Sequence, residues 1–333
     1  MAAQNCSQTL WPRVSVVIPT LNEARNLPHV FSALPSDIYE VIIVDGHSVD
    51  DTLAVARKLR PDAGIVMQTR TGKGNALACG CRAATGDIIA MIDADGSTDA
   101  SEIPVFVRAL LGGADFAKGT RFVKGGGSED ITRVRALGNR LLTGIVNLLC
   151  GTEYTDLCYG FNAFWQNHLP ALGFSPTTDL SANGIGRLWG DGFEIETLIN
   201  IRIAAAGLKV AEVPSFERSR MYGVSNLCAV SDGIRVLRTI LYERFIVSRQ
   251  VRRSPDRRPL ERMNGRPSRR QVDLAERSFA ASDSSARLNG DGSRRLARQT
   301  RPEDMAPGLH QKPPPGGRNR REKPVVAGFF RIS

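Results

Sequence analysis

Short apolar, β-branched runs alternate with amphipathic stretches through the first half of the chain. Val14–Pro19 (VSVVIP) ends in a proline and the polar turn Thr20–Asn22, and a helical stretch follows through Leu34. Glu40–Asp45 (EVIIVD) is a second such run, closed by an acidic residue. Ser48 then stands at the N-cap position before Val49–Leu59, which carries acidic residues at its start and basic ones at its end, as the helix dipole prefers. Gly64–Gln68 reads as a third strand, Asn75–Ala84 as a helix of small residues, and Asp87–Ile92 as a fourth strand running into Asp93. Strand and helix alternating at this spacing predict an α/β fold, a mainly parallel sheet with helices on both faces. Ligands on such sheets bind beyond the carboxyl ends of the strands. There the polar residues Thr20–Glu23, Asp45, Asp93 and Asp95 collect.

The pattern changes twice near the end. In Ser231–Arg249, Ile234, Leu237, Ile240, Leu241 and Phe245 recur at steps of three to four residues, with Arg235, Arg238, Arg244 and Arg249 elsewhere on the helical wheel. That predicts either a last helix docked on the core or a basic amphipathic helix on a membrane surface. From Gln250 onward the periodicity vanishes, and the tail holds 20 Lys+Arg against 9 Asp+Glu and 9 of the 18 prolines. Such a segment buries too little apolar surface to offset its ordering entropy, so residues 250–333 are expected to be a disordered, basic, Pro-rich tail and residues 1–12 a flexible start.

Charge and composition narrow the class. The 333 residues carry a formal net charge of +10, yet residues 1–249 hold 24 basic and 25 acidic groups. The high basicity therefore belongs to the tail, and nothing in the body points to a specific nucleic-acid partner. A hydrophobic share of 42% suits a soluble protein with a sizeable core. No window approaches the roughly 20 consecutive apolar residues that a bilayer span demands. The start, MAAQNCSQTLWPR, lacks a basic region followed by an apolar stretch, so no secretory signal is expected and a cytoplasmic location is. Cys6, Cys79, Cys81, Cys150, Cys158 and Cys228 show no CxxC spacing and read as reduced, mostly buried thiols. The four histidines never cluster at ligand spacing, which argues against a zinc site.

Ile92–Ser97 (IDADGS) carries the most chemistry. Asp93 and Asp95 close an apolar strand, and their i, i+2 spacing turns both carboxylates to one side of an extended segment. Two such carboxylates repel unless a cation sits between them, and hard oxygen ligands with open positions suit a divalent ion that also grips a diphosphate. The plain alternative is a solvated acidic turn with Ser97 capping a following helix. Gly72-Lys73-Gly74 is not a P-loop, because G-x-x-x-x-G-K-[ST] is absent.

The ordered set VSVVIPTLNEARNL, EVIIVDGHSVDDT, TRTGKGNAL, GDIIAMIDADGS, ADFAKGTRF, YTDLCYGFNAFW, GFEIETLINIRIAAAGLKVAEVP and SRMYGVSNL resembles the family 2 glycosyltransferases of A-type fold. Within that family it resembles the branch that includes dolichol-phosphate mannosyltransferases and polyprenyl-phosphate glucosyltransferases. The resemblance covers roughly residues 14–230 and implies a catalytic domain over 13–249 with a Rossmann-like sheet. It implies that Pro19 and Glu23 pack against and hydrogen-bond the donor nucleotide. Asp45 would accept from the nucleobase ring N–H, which uracil and guanine both offer. Lys73 would reach the base or the phosphates, with a solvated loop lysine as the alternative. Asp93 and Asp95 would hold Mg²⁺ or Mn²⁺ on the donor diphosphate, with the ion acting as a Lewis acid on the leaving group.

On the acceptor side, Arg121 matches the arginine of a G-S-R motif. Arg135 and Asn139 match an arginine–serine pair that faces an acceptor phosphate, with asparagine in place of serine. Arg220 matches the start of R-x-x-G-x-S-K, whose closing lysine is Asn226 here. Asp156 is the expected general base if the acceptor is a hydroxyl, and only a positioning group if the acceptor is a phosphate oxyanion. Glu196 matches a supporting glutamate. The resemblance thus implies inverting transfer from a UDP- or GDP-linked sugar, with a polyprenyl phosphate as the leading acceptor and a glycan or secondary-metabolite hydroxyl as the alternative. Any membrane contact is expected to be peripheral, at the inner face. A sugar-phosphate nucleotidyltransferase and a non-catalytic scaffold are the competing classes. The first lacks its glycine-rich basic signature after strand one, and the second leaves Asp45, Asp93 and Asp95 without a reason to persist.

Overall fold

The computed structural model describes residues 11–177, 188–223 and 229–253, all within one compact unit. Five β-strands and four α-helices alternate first: β1 Val14–Thr20, α1 Leu27–Ala33, β2 Glu40–Asp45, α2 Thr52–Leu59, β3 Gly64–Met67, α3 Lys73–Ala83, β4 Ile88–Met91, α4 Ile103–Leu111 and β5 Phe116–Thr120. A two-residue strand β6 (Gly127–Ser128) and the long helix α5 (Arg133–Cys150) follow. The second half adds β7 Asn162–Trp165, α6 Leu169–Leu172, α7 Ile195–Ala205, β8 Val210–Pro214, β9 Phe216–Glu217 and α8 Ala229–Arg253. Seven strands form one sheet in the order β3-β2-β1-β4-β7-β5-β8, and β6 pairs with β9 apart from it.

The expected mainly parallel sheet is present, with one antiparallel member. β1, β2, β3 and β4 run parallel, β5 runs parallel to β8, and β7 enters between β4 and β5 antiparallel to both. Alternate residues of the strands are buried on opposite faces. Val16 and Ile18 of β1 join Phe106 and Phe161 in one cluster, whereas Val17 joins Val44, Leu77 and Phe164 in the other. Both faces being covered is why these strands read as continuous apolar runs.

The antiparallel strand shapes the carboxyl edge of the sheet. Because β7 runs against its neighbours, its starting end lies where theirs finish, and Gly119 donates its N–H to the Phe161 carbonyl at 2.8 Å there. The segment leading into β7 is thereby carried across that edge.

Several local expectations shift. The helix placed at Val49–Leu59 begins at Thr52, and Ser48 does not cap it: its hydroxyl accepts from the Asn22 N–H at 2.9 Å and so ties the loop after β2 to the loop after β1. Ser97 starts no helix either, since Asp99 takes the capping role over Ser101. Cys79 and Cys81 are buried as expected, but Cys158 is exposed. The last helix runs past Arg249 to Arg253 and packs on α5 and α7. Val236, Thr239, Ile240 and Glu243 of α8 are buried, and the Glu243 carboxylate accepts from Trp189 at 2.9 Å and pairs with Arg202. Among the described residues no helix is long and apolar enough to cross a membrane. The expected flexible start, up to residue 10, and the expected tail beyond Arg253 lie outside the described residues, as do Ser225 and Asn226.

Helix α3 lies so near the sheet that a Cβ on Gly80 would run into Val17 and Val44. Alanine in an open helix interior gains about 1 kcal/mol over glycine. Here overpacking should reverse the sign, and Gly80→Ala is expected to destabilise the fold by about 1–3 kcal/mol. A thermal melt checks this, with Tm falling roughly 2–4 °C per kcal/mol.

Candidate active site at the carboxyl edge of the sheet

The strand order explains how the polar residues meet. β1 lies between β2 and β4, with Thr20 in register with Asp45, so the loops after these three strands are neighbours. Glu23, Asp45, Asp93 and Asp95 therefore sit on one edge, at the position where parallel sheets of this kind bind ligands.

Lys73 is brought there by a second piece of chain. The residues around 190–191 press against the start of α3, where the Gly74 N–H donates to the Asp191 carbonyl at 2.8 Å. A side chain at Gly72 or Gly74 would collide with the backbone of Asp191 or Gly190, and Gly72 holds a φ of +128°, which L-residues rarely adopt. Arg70 fixes this contact with two bonds to the buried Asp191 carboxylate, at 2.8 and 2.9 Å. The glycines of G-K-G thus serve the close approach of one backbone to another and present Lys73 at the helix start.

The Lys73 ammonium bridges Asp93 at 2.6 Å and Glu196 at 2.7 Å. Burial opposes its charge, but the two carboxylates outweigh burial and hold its pKa above the usual lysine value. Burial in turn pushes the Glu196 carboxyl above its ordinary range, with Lys73 opposing. Gly160, just before β7, completes the pocket wall, because a Cβ there would stand 2.9 Å from the Lys73 Nζ. Lys73 is accordingly not a solvated loop lysine.

Arg220 closes the other side. It pairs with Asp95 at 2.9 Å and with Glu23 at 3.2 Å. The Met221 N–H points to the Asp95 carbonyl at 3.4 Å, the Arg218 N–H donates to the Ser97 carbonyl at 2.8 Å, and Asn26 donates to the Tyr222 carbonyl at 3.1 Å. Residues 218–222 are strapped over the strand ends by these bonds. Burial raises the Glu23 pKa, opposed by Asn26 and Arg220. The repulsion between Asp93 and Asp95 is therefore relieved by two separate cations, one for each carboxylate.

Two hard carboxylates at i, i+2 fit a divalent ion. Among the described residues no group of three or more His, Cys, Asp or Glu forms a metal cluster, and Mg²⁺ commonly takes one or two carboxylates together with phosphate and water oxygens. Asp45 has a matching feature. Its Oδ2 accepts from the Ser48 N–H at 2.9 Å, and its Oδ1 is buried without a hydrogen-bond partner. A buried carboxylate oxygen in want of a donor suits a ring N–H. Pro19 lies beside it, in register with Val44 at the end of β1.

The structure does not bring the remaining expected residues into this cleft. Asp156 is fully buried and accepts from Arg121 at 2.7 and 3.0 Å and from Asn139 at 3.1 Å. Burial alone would raise its pKa, yet Arg121 overrides it and holds the carboxyl below the ordinary range. An inaccessible carboxylate already bound to a guanidinium suits the positioning role expected of Asp156 better than that of a general base. Arg121 itself is buried between Asp156 and Glu217, with Glu217 at 2.9 Å, and the two ion pairs anchor the chain there. Asn139 is buried against Asp156 and the Cys158 N–H, and Arg135, at the start of α5, pairs with Asp130 at 3.0 Å.

Residues that went unremarked in the sequence are Arg70, Asp191, Glu217 and Lys118. Lys118 is wholly buried in β5, and burial lowers its pKa against the pull of Asp156 and Glu212. Its signal was available as a lysine inside the apolar run FAKGT. Arg70 and Asp191, 121 positions apart, had none.

Among known proteins, a glycosyltransferase of Mycobacterium tuberculosis is 46% identical over 108 residues, covering 32% of this chain and 48% of that protein. The chain thus spans about half the length of that relative. The dolichol-phosphate mannosyltransferase of Pyrococcus furiosus is 31% identical over 224 residues, 65% of this chain and 59% of that one. The glycosyltransferase AglJ of Haloferax volcanii is 30% identical over 229 residues, 66% of this chain and 68% of its own, and the sequence model of glycosyl transferase family 2 matches residues 15–172. The chain belongs to glycosyl transferase family 2. Glucosyl-3-phosphoglycerate synthase of M. tuberculosis, in complex with Mn²⁺, UDP-glucose and phosphoglyceric acid, shares the fold at a TM-score of 0.54 and 25% identity, covering 70% of this chain and 80% of that one. The A-type fold expected for the family is the fold observed. In this family 2 chain the cleft lies among Glu23, Lys73, Asp93, Asp95, Glu196 and Arg220, with Asp45 at its side.

Arg121→Met leaves two buried carboxylates without their cation and is expected to cost about 3–5 kcal/mol in urea unfolding at neutral pH. Because Arg121 holds Asp156 below its unfolded pKa, that stabilisation is complete above an ordinary carboxylate pKa of about 4 and fades as pH falls through the lower folded value. The deficit of the variant should narrow below about pH 4.

Proposed function

We propose that this protein is an inverting glycosyltransferase that moves a sugar from a nucleoside diphosphate donor to a phosphate-bearing acceptor, with a polyprenyl phosphate as the leading candidate. The carrying observation is the set of cations and carboxylates at the strand ends, with Lys73 on Asp93 and Glu196, and Arg220 on Asp95 and Glu23. Asp93 and Asp95 would hold Mg²⁺ or Mn²⁺, which supplies Lewis-acid neutralisation of the departing diphosphate. Lys73 and Arg220 would exchange a carboxylate for a phosphate oxygen, a charge-assisted bond of the same kind. Asp45 would take the ring N–H of uracil or guanine through its unpartnered Oδ1. Glu196 would hold Lys73 in place throughout, and Pro19 would pack against the nucleotide. The Mn²⁺ and UDP-glucose bound by the M. tuberculosis synthase support this donor reading.

The acceptor is inferred from the surroundings of the expected base. A hydroxyl acceptor needs a general base, and Asp156, the candidate for that role, is sealed off by Arg121. A phosphate oxyanion needs none. The similarity to a dolichol-phosphate mannosyltransferase favours a polyprenyl phosphate. The phosphoglyceric acid bound by the M. tuberculosis synthase makes a small phosphorylated acceptor the second reading.

Calorimetric titration with UDP- and GDP-sugars, with and without Mn²⁺, tests the donor site. One donor is expected to bind in a metal-dependent way, and Asp95→Asn to lower that affinity at least about 100-fold while leaving the melting temperature within a few degrees. Unchanged Mn²⁺-dependent binding by the variant would overturn the metal assignment. Transfer assays with a short-chain polyprenyl phosphate, 3-phosphoglycerate and an alkyl glycoside separate the acceptors, and only phosphate-bearing compounds are expected to react.

A further inference from the structure

The apolar stripe expected on the last helix is divided by the structure. Ile240 is buried, while Ile234, Leu237, Leu241 and Phe245 are between 36% and 57% exposed. The neighbouring helix α5 shows the same pattern more strongly. Its buried residues Asn139, Thr143 and Val146 mark the inner side, and Val134, Leu137, Leu141 and Leu148 are between 60% and 85% exposed. Their spacing of three, four and seven residues places them on one stripe nearly opposite the buried face. Two helices that touch each other and share one inner cluster around Val146, Val236 and Ile240 thus each turn a row of large apolar side chains outward. A solvent-facing helix ordinarily reverses that polarity.

We infer that α5 and α8 together seat this protein on the surface of an anionic lipid bilayer. Charge decides the occupant. Helix α5 carries Arg133, Arg135 and Arg140 and no acidic residue. Helix α8 carries six arginines against Asp232 and Glu243, and both carboxylates are already paired, with Arg235 and Arg202. A second copy of the chain would set the arginines of these helices against arginines, and neither helix has an unpaired carboxylate of its own to oppose them. Anionic headgroups oppose them directly, and long arginine side chains reach headgroup level while the leucines enter the acyl boundary. Beside the α5 stripe lies a cavity of about 350 Å³, bounded by Arg140, Thr143 and Gly144 on the helix and by Phe122, Tyr154 and Thr155 across from it. From Thr155 the chain runs to Gly160, the wall of the Lys73 pocket. The surface stands independently of the donor chemistry, and it supplies the membrane that a polyprenyl phosphate acceptor needs.

The test is co-sedimentation of the full-length chain with phosphatidylcholine vesicles, with and without about 30% phosphatidylglycerol. The protein is expected to sediment with the anionic vesicles, and the double variant Leu137→Asp/Leu141→Asp to partition at least about tenfold less. Leu148→Asp and Arg140→Glu, single changes at the outer face, should each weaken binding severalfold and serve if the double variant does not fold. Equal binding by wild type and variants would show that the basic tail alone holds the vesicle, and would overturn the inference. So would absence of wild-type binding, or a wild-type dimer that the variants convert to monomer. Donor titration on the same samples keeps the two readings apart: variants that bind donor normally but leave the vesicle test docking alone, and loss of donor binding at the strand-end site bears only on the transferase reading.

Discussion

Glu23, Asp93, Asp95 and Glu196 converge where the strands of a parallel sheet end, and their mutual repulsion has to be cancelled where little water reaches. Lys73 and Arg220 do this, and each is delivered by chain remote in sequence from the carboxylates it meets. Much of the surrounding architecture follows from that requirement. The glycines at 72, 74 and 160 make room for the ammonium and for the backbone that positions it, and Arg70 locks that backbone through Asp191. The strap around 218–222 is drawn across the strand ends and carries Arg220 with it. Cations that neutralise carboxylates in the free protein are also the groups best suited to receive a diphosphate. The same two charges relieve repulsion in the free cleft and, in the proposed reaction, would receive the diphosphate.

A second charged network lies behind the first and does different work. Arg121, Asp156, Glu217 and Asn139 are buried together and bonded to one another. Arg121 ties the segment entering β7 to β9, the two pieces of chain that supply Gly160 and lead to Arg220. Its bidentate contact is costly to desolvate and costly to break, which suits a fixed joint more than a moving catalytic group. Two arginines with similar motif standing, Arg121 and Arg220, therefore take opposite parts, and the difference is accessibility.

That contrast marks the limit of what the residues alone reveal. The α/β class, the first four strands and the acidic residues at their ends were legible, because apolar runs of strand length and terminal aspartates are local signals. The antiparallel β7 was not, since strand direction depends on pairing across the sheet, and NAFW looks the same in either direction. Ser48 carried the chemistry of a cap but spends its hydroxyl on the neighbouring loop. Asp156 carried the chemistry of a base or of a positioning group, and only the fold shows the guanidinium bound to it. The amphipathic stripe of the last helix was visible, but its partner on α5 was not, because nothing in a single helix tells which side the core will take.

The transferase reading rests above all on Asp93 and Asp95 holding a divalent ion against the diphosphate of the donor. Phosphorus NMR of the nucleoside diphosphate bound to the protein, titrated with Mn²⁺, tests it directly, since the paramagnetic ion broadens phosphorus resonances only at close range. Both phosphorus signals are expected to broaden in the wild-type protein, and Asp93→Asn to abolish the broadening while nucleotide remains bound. Bound nucleotide whose phosphorus signals ignore Mn²⁺, or broadening that survives the substitution, would contradict that reading.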